Sequence, residues 1–245
     1  MLSHLPGYSL PERLWRTARR WALAWGRIVY LGAVMLVLVL SPSSYTRAAR
    51  RTLARHIYLD TAPILMGFTV LAALLALVIT RIVVVTALSY GLSRYALEMV
   101  IRVLVLELIP LTATLFVAMR CTIPHGTQLA LLRQSGHFDA LRAQGGDPVR
   151  MELLPRVVAV VFASITLAAL SCVVALIMAY ISVYGFNVAG LPGYTRMFGQ
   201  VFTPVVTLVF VLETVFFSLA VALLPMTAGM YDTGEATQPD SELGG

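Results

Sequence analysis

Apolar residues in this chain fall in long continuous blocks rather than in stripes of helical period. Four blocks exceed the roughly 20 residues that a helix needs to cross hydrocarbon, at about 62–90, 97–119, 157–184 and 201–225. Residues 157–184 carry no formal charge at all. Each block is predicted to be a helix, because bilayer hydrocarbon leaves backbone groups no partner but their own segment, and a lone chain of this pattern cannot close a barrel. An earlier run, Ile28 to Leu40, spans 13 residues and is too short to cross unaided. It is expected either to extend a preceding interfacial helix or to dip into the membrane and return.

That preceding segment has a different pattern. From Pro11 and Glu12 onward, a turn of about 100° per residue gathers Leu14, Ala18, Trp21, Trp25 and Ile28 on one face, and Arg13, Arg16, Arg20 and Arg27 on the other. Trp15 widens the apolar side. A basic amphipathic helix of this kind is expected to lie in the membrane interface, with its indoles at headgroup depth and its arginines against anionic lipid; the alternative is an amphipathic helix packed on a soluble partner. Cleavage as a signal peptide is not expected. The basic region is too long, and Arg47, Arg50, Arg51 and Arg55 follow the apolar run.

Composition agrees with the block pattern: the 245 residues are 59% hydrophobic and only 12% charged, against about 25% charged in soluble domains. All 18 basic residues are arginine. Without lysine or a glycine-rich phosphate loop the chain is not a P-loop ATPase, and Schiff-base chemistry is excluded. The net charge of +6 flanks apolar segments, which reads as membrane orientation rather than nucleic-acid binding. Nine arginines lie in residues 1–60 and five in 120–156, against one in 185–200. The N-terminus and the 120–156 loop are therefore predicted to be cytoplasmic, and four crossings return the C-terminal tail to the same side.

Other residue types bring little chemistry. Cys121 and Cys172 occur at different depths of different blocks and are expected to stay unbridged. His4, His56, His125 and His137 show no pair at metal-ligand spacing on one helix face, and are expected at the surface or in loops. Ser164, Ser171 and Ser182 lie in the third block with no matching base, so an intramembrane enzyme is not indicated. They are expected to bond helix backbone or a neighbouring helix. Glu98 and Arg102, spaced i and i+4 with the acid first, are expected to form a local ion pair.

The loop between the second and third blocks has more to say. It carries Leu129, Leu132, Phe138 and Leu141 as apolar knobs and stops at Gly145-Gly146-Asp147-Pro148. A short helix parallel to the membrane fits it. Joined rigidly to two spans, such a helix passes motion from a cytoplasmic motor into the bilayer, although a plain solvated connector has the same composition.

The run from Val103 through Glu107, Pro110 and Arg120, then Phe138-Asp139-Ala140-Leu141, Gly146-Asp147-Pro148 and Pro155-Arg156, resembles the MlaE permeases of MCE-associated lipid ABC transporters over roughly residues 57–225. The resemblance implies an all-α polytopic membrane helix bundle with an N-terminal interfacial helix, in a bacterial inner membrane. With the patterns above, the chain is expected to divide into three regions: residues 1–60 as the basic interfacial region, 61–226 as the permease domain, and 227–245 as a cytoplasmic tail whose Gly, Pro, Asp and Glu content predicts disorder. A coupling helix is expected at about 124–144, where Gln128, Leu132, Asp139, Leu141 and Arg142 would meet the ATPase. Arg120, Asp147, Pro148, Pro155 and Arg156 would anchor that loop, and Glu107, Pro110 and Glu213 would line a lipid cavity. The implied partners are ABC ATPase subunits, a second permease copy or paralogue, an MCE-domain protein and a phospholipid-like cargo, with no nucleic acid. No catalytic residue, metal or cofactor is implied for this chain, ATP and magnesium being bound by the partner subunit.

Departures from the family pattern are equally specific. Gln128 and Ala130 stand where an acidic residue and a nearby glycine are usual, and Cys121-Thr122-Ile123 replaces a small glycine-containing stretch. Leu106 takes the place of an arginine, and Glu213-Thr214 that of a Lys-Ser pair. The expectation is a divergent member lacking the family's fifth span, with a non-transporting scaffold paired to a typical permease as the alternative role. Glu107 and Glu213 lie deep within spans, where a charge costs about 2.5–3.5 kcal/mol on insertion scales. Glu213 is expected to face the bundle interior or a wet cavity. Pro110 is expected to loosen or kink the second span beside Glu107.

Overall fold

The computed structural model describes residues 10–41, 47–91 and 93–231. Among these the backbone is helical almost throughout, with no strand. Helix α1 runs over Leu10–Leu40, α2 over Arg47–Ser89, α3 over Ser93–Met99, α4 over Ile109–Val117 and α5 over Ile123–Gln134. They are followed by α6 at His137–Ala143, α7 at Leu154–Tyr184, α8 at Leu191–Val201 and α9 at Pro204–Tyr231.

Four helical stretches are long and apolar enough to cross a membrane: Arg51–Ser89, Leu97–Gln134, Val149–Tyr184 and Pro204–Met230. All four predicted blocks are thus helices, but each helix outruns its apolar block. The 39 residues of the first extend about 58 Å at 1.5 Å per residue, nearly twice the roughly 30 Å hydrocarbon thickness. Helical structure continues into the polar flanks because the backbone bonds of one turn carry on into the next. The sequence division at residue 60 accordingly corresponds to no break, since residues 47–60 are already part of α2. Residues 227–231, assigned above to a disordered tail, instead continue α9 past Pro225, with Thr227 Oγ1 donating to Leu223 O at 2.6 Å. Residues 232–245 lie outside the described residues, as does His4.

The run Ile28–Leu40, left open by the sequence, simply prolongs α1. Leu31, Met35 and Leu38 are buried, and Gly32 approaches Leu223 of α9. Trp15 and Trp25 are exposed, as are Arg19 and Arg27. The side chains of Arg13, Leu14, Arg16, Ala18, Arg20 and Trp21, which complete the amphipathic pattern, lie outside the described residues.

Three π-helical stretches interrupt the α geometry, at Val100–Leu108, Ala118–Thr122 and Val149–Leu153. Each ends two residues before a proline: Pro110, Pro124 and Pro155. The residue just before each proline bonds back five positions, Ile109 N to Leu104 O, Ile123 N to Ala118 O and Leu154 N to Val149 O. Proline has no N–H, and its ring crowds the carbonyl four residues earlier. Widening the preceding turns to i→i−5 bonding gives that ring room without breaking the helix. The loosening expected at Pro110 takes this form.

Small residues let the spans approach closely, as in other membrane bundles. Helix α2 packs along α7 with Ala72, Ala76, Ala163, Ala168, Ala175 and Ala179 buried. One apolar core joins Leu31, Met35, Leu129, Phe138, Leu153 and Met226 at the α5–α6 end. A second joins Leu97, Ile101, Leu104, Ala179, Tyr194 and Val201 at the other. Cys121 belongs to the first and Cys172 to the second, and both are free thiols.

Candidate functional site

Leu97 to Gln134 is one continuous helical run, so α5 prolongs the second span rather than forming a separate helix after it. The segment predicted at 124–144 is therefore two helices. Gly136, at φ 72°, turns the chain between α5 and α6 in a conformation that side-chain-bearing residues avoid. At the end of α6, Gly145 N bonds Arg142 O and Gly146 N bonds Leu141 O, both at 2.9 Å, with Gly145 at φ 78°. This is a Schellman stop, at the Gly145-Gly146-Asp147-Pro148 signal. Asp147 Oδ1 then accepts from Val149 N at 3.0 Å and caps the next helix, whose first turn holds buried Pro148.

Leu129 and Phe138 plug this hairpin into the core at 0% and 4% exposure, and Leu132 packs at its edge. Gly126 and Gly229 bring the backbones of α5 and α9 into direct apposition: a Cβ on Gly126 would fall 2.7 Å from Pro225 O, and one on Gly229 would collide with Gly126 O. The hairpin is thus held to the bundle on one side. Its other side is open: Gln128 is exposed, and Asp139 and Arg142 pair with each other at 3.2 Å with side chains 82% and 63% exposed. Leu141 is half-buried beside Gly146.

The anchoring residues divide. Arg156 is buried, and its Nη1 donates to Glu152 O at 3.0 Å and meets Glu152 Oε2 at 2.9 Å. Pro155 is buried after the third π stretch. Arg120, by contrast, is exposed. Of the membrane acids, Glu107 is exposed within the long π stretch, Glu213 is half-buried on α9, and buried Pro110 follows Glu107 by one turn. Among the described residues neither acid meets a basic side chain. The expected Glu98–Arg102 ion pair is present at 3.1 Å.

An apolar cavity of about 170 Å³ opens between α2 and α4, lined by Phe68, Leu71, Leu75, Leu115, Phe116 and Met119. The rings of Phe68 and Phe116 pack against each other in its wall, with centroids 5.0 Å apart. At the other end, Tyr180, Tyr184 and Tyr194 cluster, with the Tyr194 hydroxyl donating to Leu176 O at 2.9 Å.

Two expectations are corrected. Ser164, Ser171 and Ser182 have no hydrogen-bond partner; Ser164 and Ser171 lie fully buried at tight helix contacts, where their small size is what packing uses. Back-bonding falls instead to Thr112, Thr114, Thr214 and Ser218. His125 is not a surface residue: it is buried against Asp60, with Nε2 2.9 Å from Oδ2. Sequence spacing did not reveal this pair because its members are 65 positions apart.

No curated protein matched the chain. A family model described as Permease MlaE matches residues 53–240, which takes in the spans but for the first two residues of the first, the α5–α6 hairpin and both membrane acids. The match covers most of the sequence and agrees with an all-α bundle of membrane-crossing helices. The chain therefore belongs to the MlaE permease family: it is a multi-pass transmembrane permease of the lipid ABC transporter type rather than an enzyme.

Proposed function

We propose that this chain is the permease subunit of an ATP-driven phospholipid transporter of a bacterial inner membrane, moved by separate ATPase subunits through the α5–α6 hairpin and delivering to, or receiving from, an MCE-domain protein. The observation that carries this reading is the hairpin's construction. It prolongs the second span without a break, is fixed to α9 at Gly126 and Gly229, and exposes Asp139 and Arg142. A force applied at the exposed pair reaches two spans through the short Gly136 turn, α5 and the close backbone contact of α5 with α9. A second permease copy or paralogue completes the transport path, and acyl chains occupy apolar grooves such as the one at Phe68 and Phe116.

Purification from native membranes in mild detergent tests this. The wild-type chain is expected to bring down a nucleotide-binding ATPase. Asp139→Arg combined with Arg142→Glu is expected to reduce that recovery at least about tenfold, the loss that about 1.4 kcal/mol of interface energy corresponds to. Full recovery of the ATPase with the doubly reversed pair would remove the hairpin from the interface, and absence of any ATPase with the wild type would remove the reading itself.

A further inference from the structure

Away from the exposed hairpin surface, three side chains from α2 and α5 converge. His56 and Asp60 stand at i and i+4 on α2, on one face of the helix. His125 approaches them from α5. Its Nε2 lies 2.9 Å from Asp60 Oδ2, and its ring meets that of His56 edge-on at a centroid distance of 6.0 Å. One donor atom from each of the three lies within 4.8 Å of the others. Asp60 and His125 are buried and His56 is partly so.

Two imidazoles and a carboxylate are the donor set of zinc and its divalent neighbours, whereas calcium and magnesium take oxygen. Bonds of about 2.0–2.2 Å put the ligand atoms of a tetrahedral zinc site roughly 3.4 Å apart. Reaching that spacing requires the His56 donor to move in by up to roughly 1.4 Å and the 2.9 Å His125–Asp60 contact to open by about 0.5 Å. The surroundings agree. His125 Nδ1 is buried with no hydrogen-bond partner, while Nε2 faces the Asp60 carboxylate at 2.9 Å; a metal bound at Nε2 takes the place of the proton shared with Asp60, and the neutral ring then carries its proton on Nδ1. The Cys121 thiol donates to Asp60 O at 3.5 Å, which ties the turn carrying the carboxylate to the base of the second span. Arg156 acts electrostatically on His56, but its guanidinium is paired with Glu152 at 2.9 Å, which offsets its repulsion of a cation.

We propose that His56, Asp60 and His125 form a three-ligand site for a divalent transition-metal ion of the zinc type, with a fourth position open to water. The bound ion clamps the start of α2 to α5. This site stands on its own donor geometry and does not depend on what drives the permease.

Full-length protein, purified in detergent without a polyhistidine tag, stripped with a chelator and desalted, is titrated with Zn²⁺ against a chromophoric zinc indicator, and with Co²⁺ while its visible d–d absorption is followed. The wild type is expected to take up a single equivalent of zinc and to give the intense bands of four-coordinate cobalt. His56→Ala, Asp60→Asn and His125→Ala are each expected to weaken binding at least about tenfold, while His137→Ala leaves it unchanged. His56→Ala removes a partly exposed ring and is the variant least disturbing to the fold. Zinc is expected to raise the Tm of the wild type and of His137→Ala, but not of His56→Ala, by mass action on the folded state. Absence of zinc uptake by the wild type, or uptake unchanged in His56→Ala, overturns the proposal and leaves His125 and Asp60 a simple buried hydrogen-bonded pair.

Discussion

Arg156 shows how a single side chain secures the membrane end of α7. It is buried, it meets both the carboxylate and the backbone carbonyl of Glu152, and its Nε has no partner. Removing it leaves Glu152, about a quarter exposed, with His137 at 3.6 Å and water as its remaining partners. Arg156→Ala is therefore expected to cost about 1.5 kcal/mol, the low end for hydrogen bonds to charged groups. Arg156→Lys, which keeps the charge but lacks the planar fork, is expected to recover part of this. Thermal unfolding in detergent reads both, and unchanged Tm in Arg156→Ala would contradict the anchoring role. In the sequence, the family resemblance drew attention to Arg156, Asp139 and Arg142. It could not say that Arg156 turns inward while Arg120 turns out, since that depends on how the helix faces its neighbours. Nor could it join His56 and Asp60 to His125, whose meeting is a product of packing between α2 and α5.

At the scale of elements, the junction of α5 with α9 is the tightest constraint on the hairpin. A Cβ at Gly229 collides with the backbone oxygen of Gly126, which no rotamer change relieves. Gly229→Ala is expected to push the helices apart and destabilise the protein by about 1–3 kcal/mol, the range for overpacked sites. Gly67→Ala, where a Cβ meets nothing within 4 Å, is expected to be neutral or stabilising by about 0.4–1 kcal/mol. Comparing the two Tm values in detergent checks this; equal effects would mean the close approach carries no strain. The four spans were legible because twenty apolar residues in a row have few other uses. Their true lengths were not, because hydropathy marks where lipid is and not where backbone hydrogen bonding stops. The three Xaa-Pro steps at Pro110, Pro124 and Pro155 are visible in the sequence. That each would be absorbed by a π stretch rather than a kink or a helix end follows only from the neighbouring helices that hold both sides in line.

For the whole molecule, the central claim is directional: the α5–α6 hairpin and the helices that carry it form a cytoplasmic handle on a membrane bundle. Arginine distribution gives the direction, nine residues in 1–60 and five in 120–156 against one in 185–200, and the family match gives the kind of machine. Sidedness labelling tests the claim most directly. Cysteines are introduced at exposed Gln144, just beyond the hairpin, and at Phe186, 90% exposed between α7 and α8. Intact cells are then treated with a membrane-impermeant maleimide. Phe186→Cys is expected to label in intact cells and Gln144→Cys only after permeabilisation. Labelling of Gln144→Cys from outside, with Phe186→Cys protected, would put the hairpin on the face where no ATPase can reach it and would contradict the account.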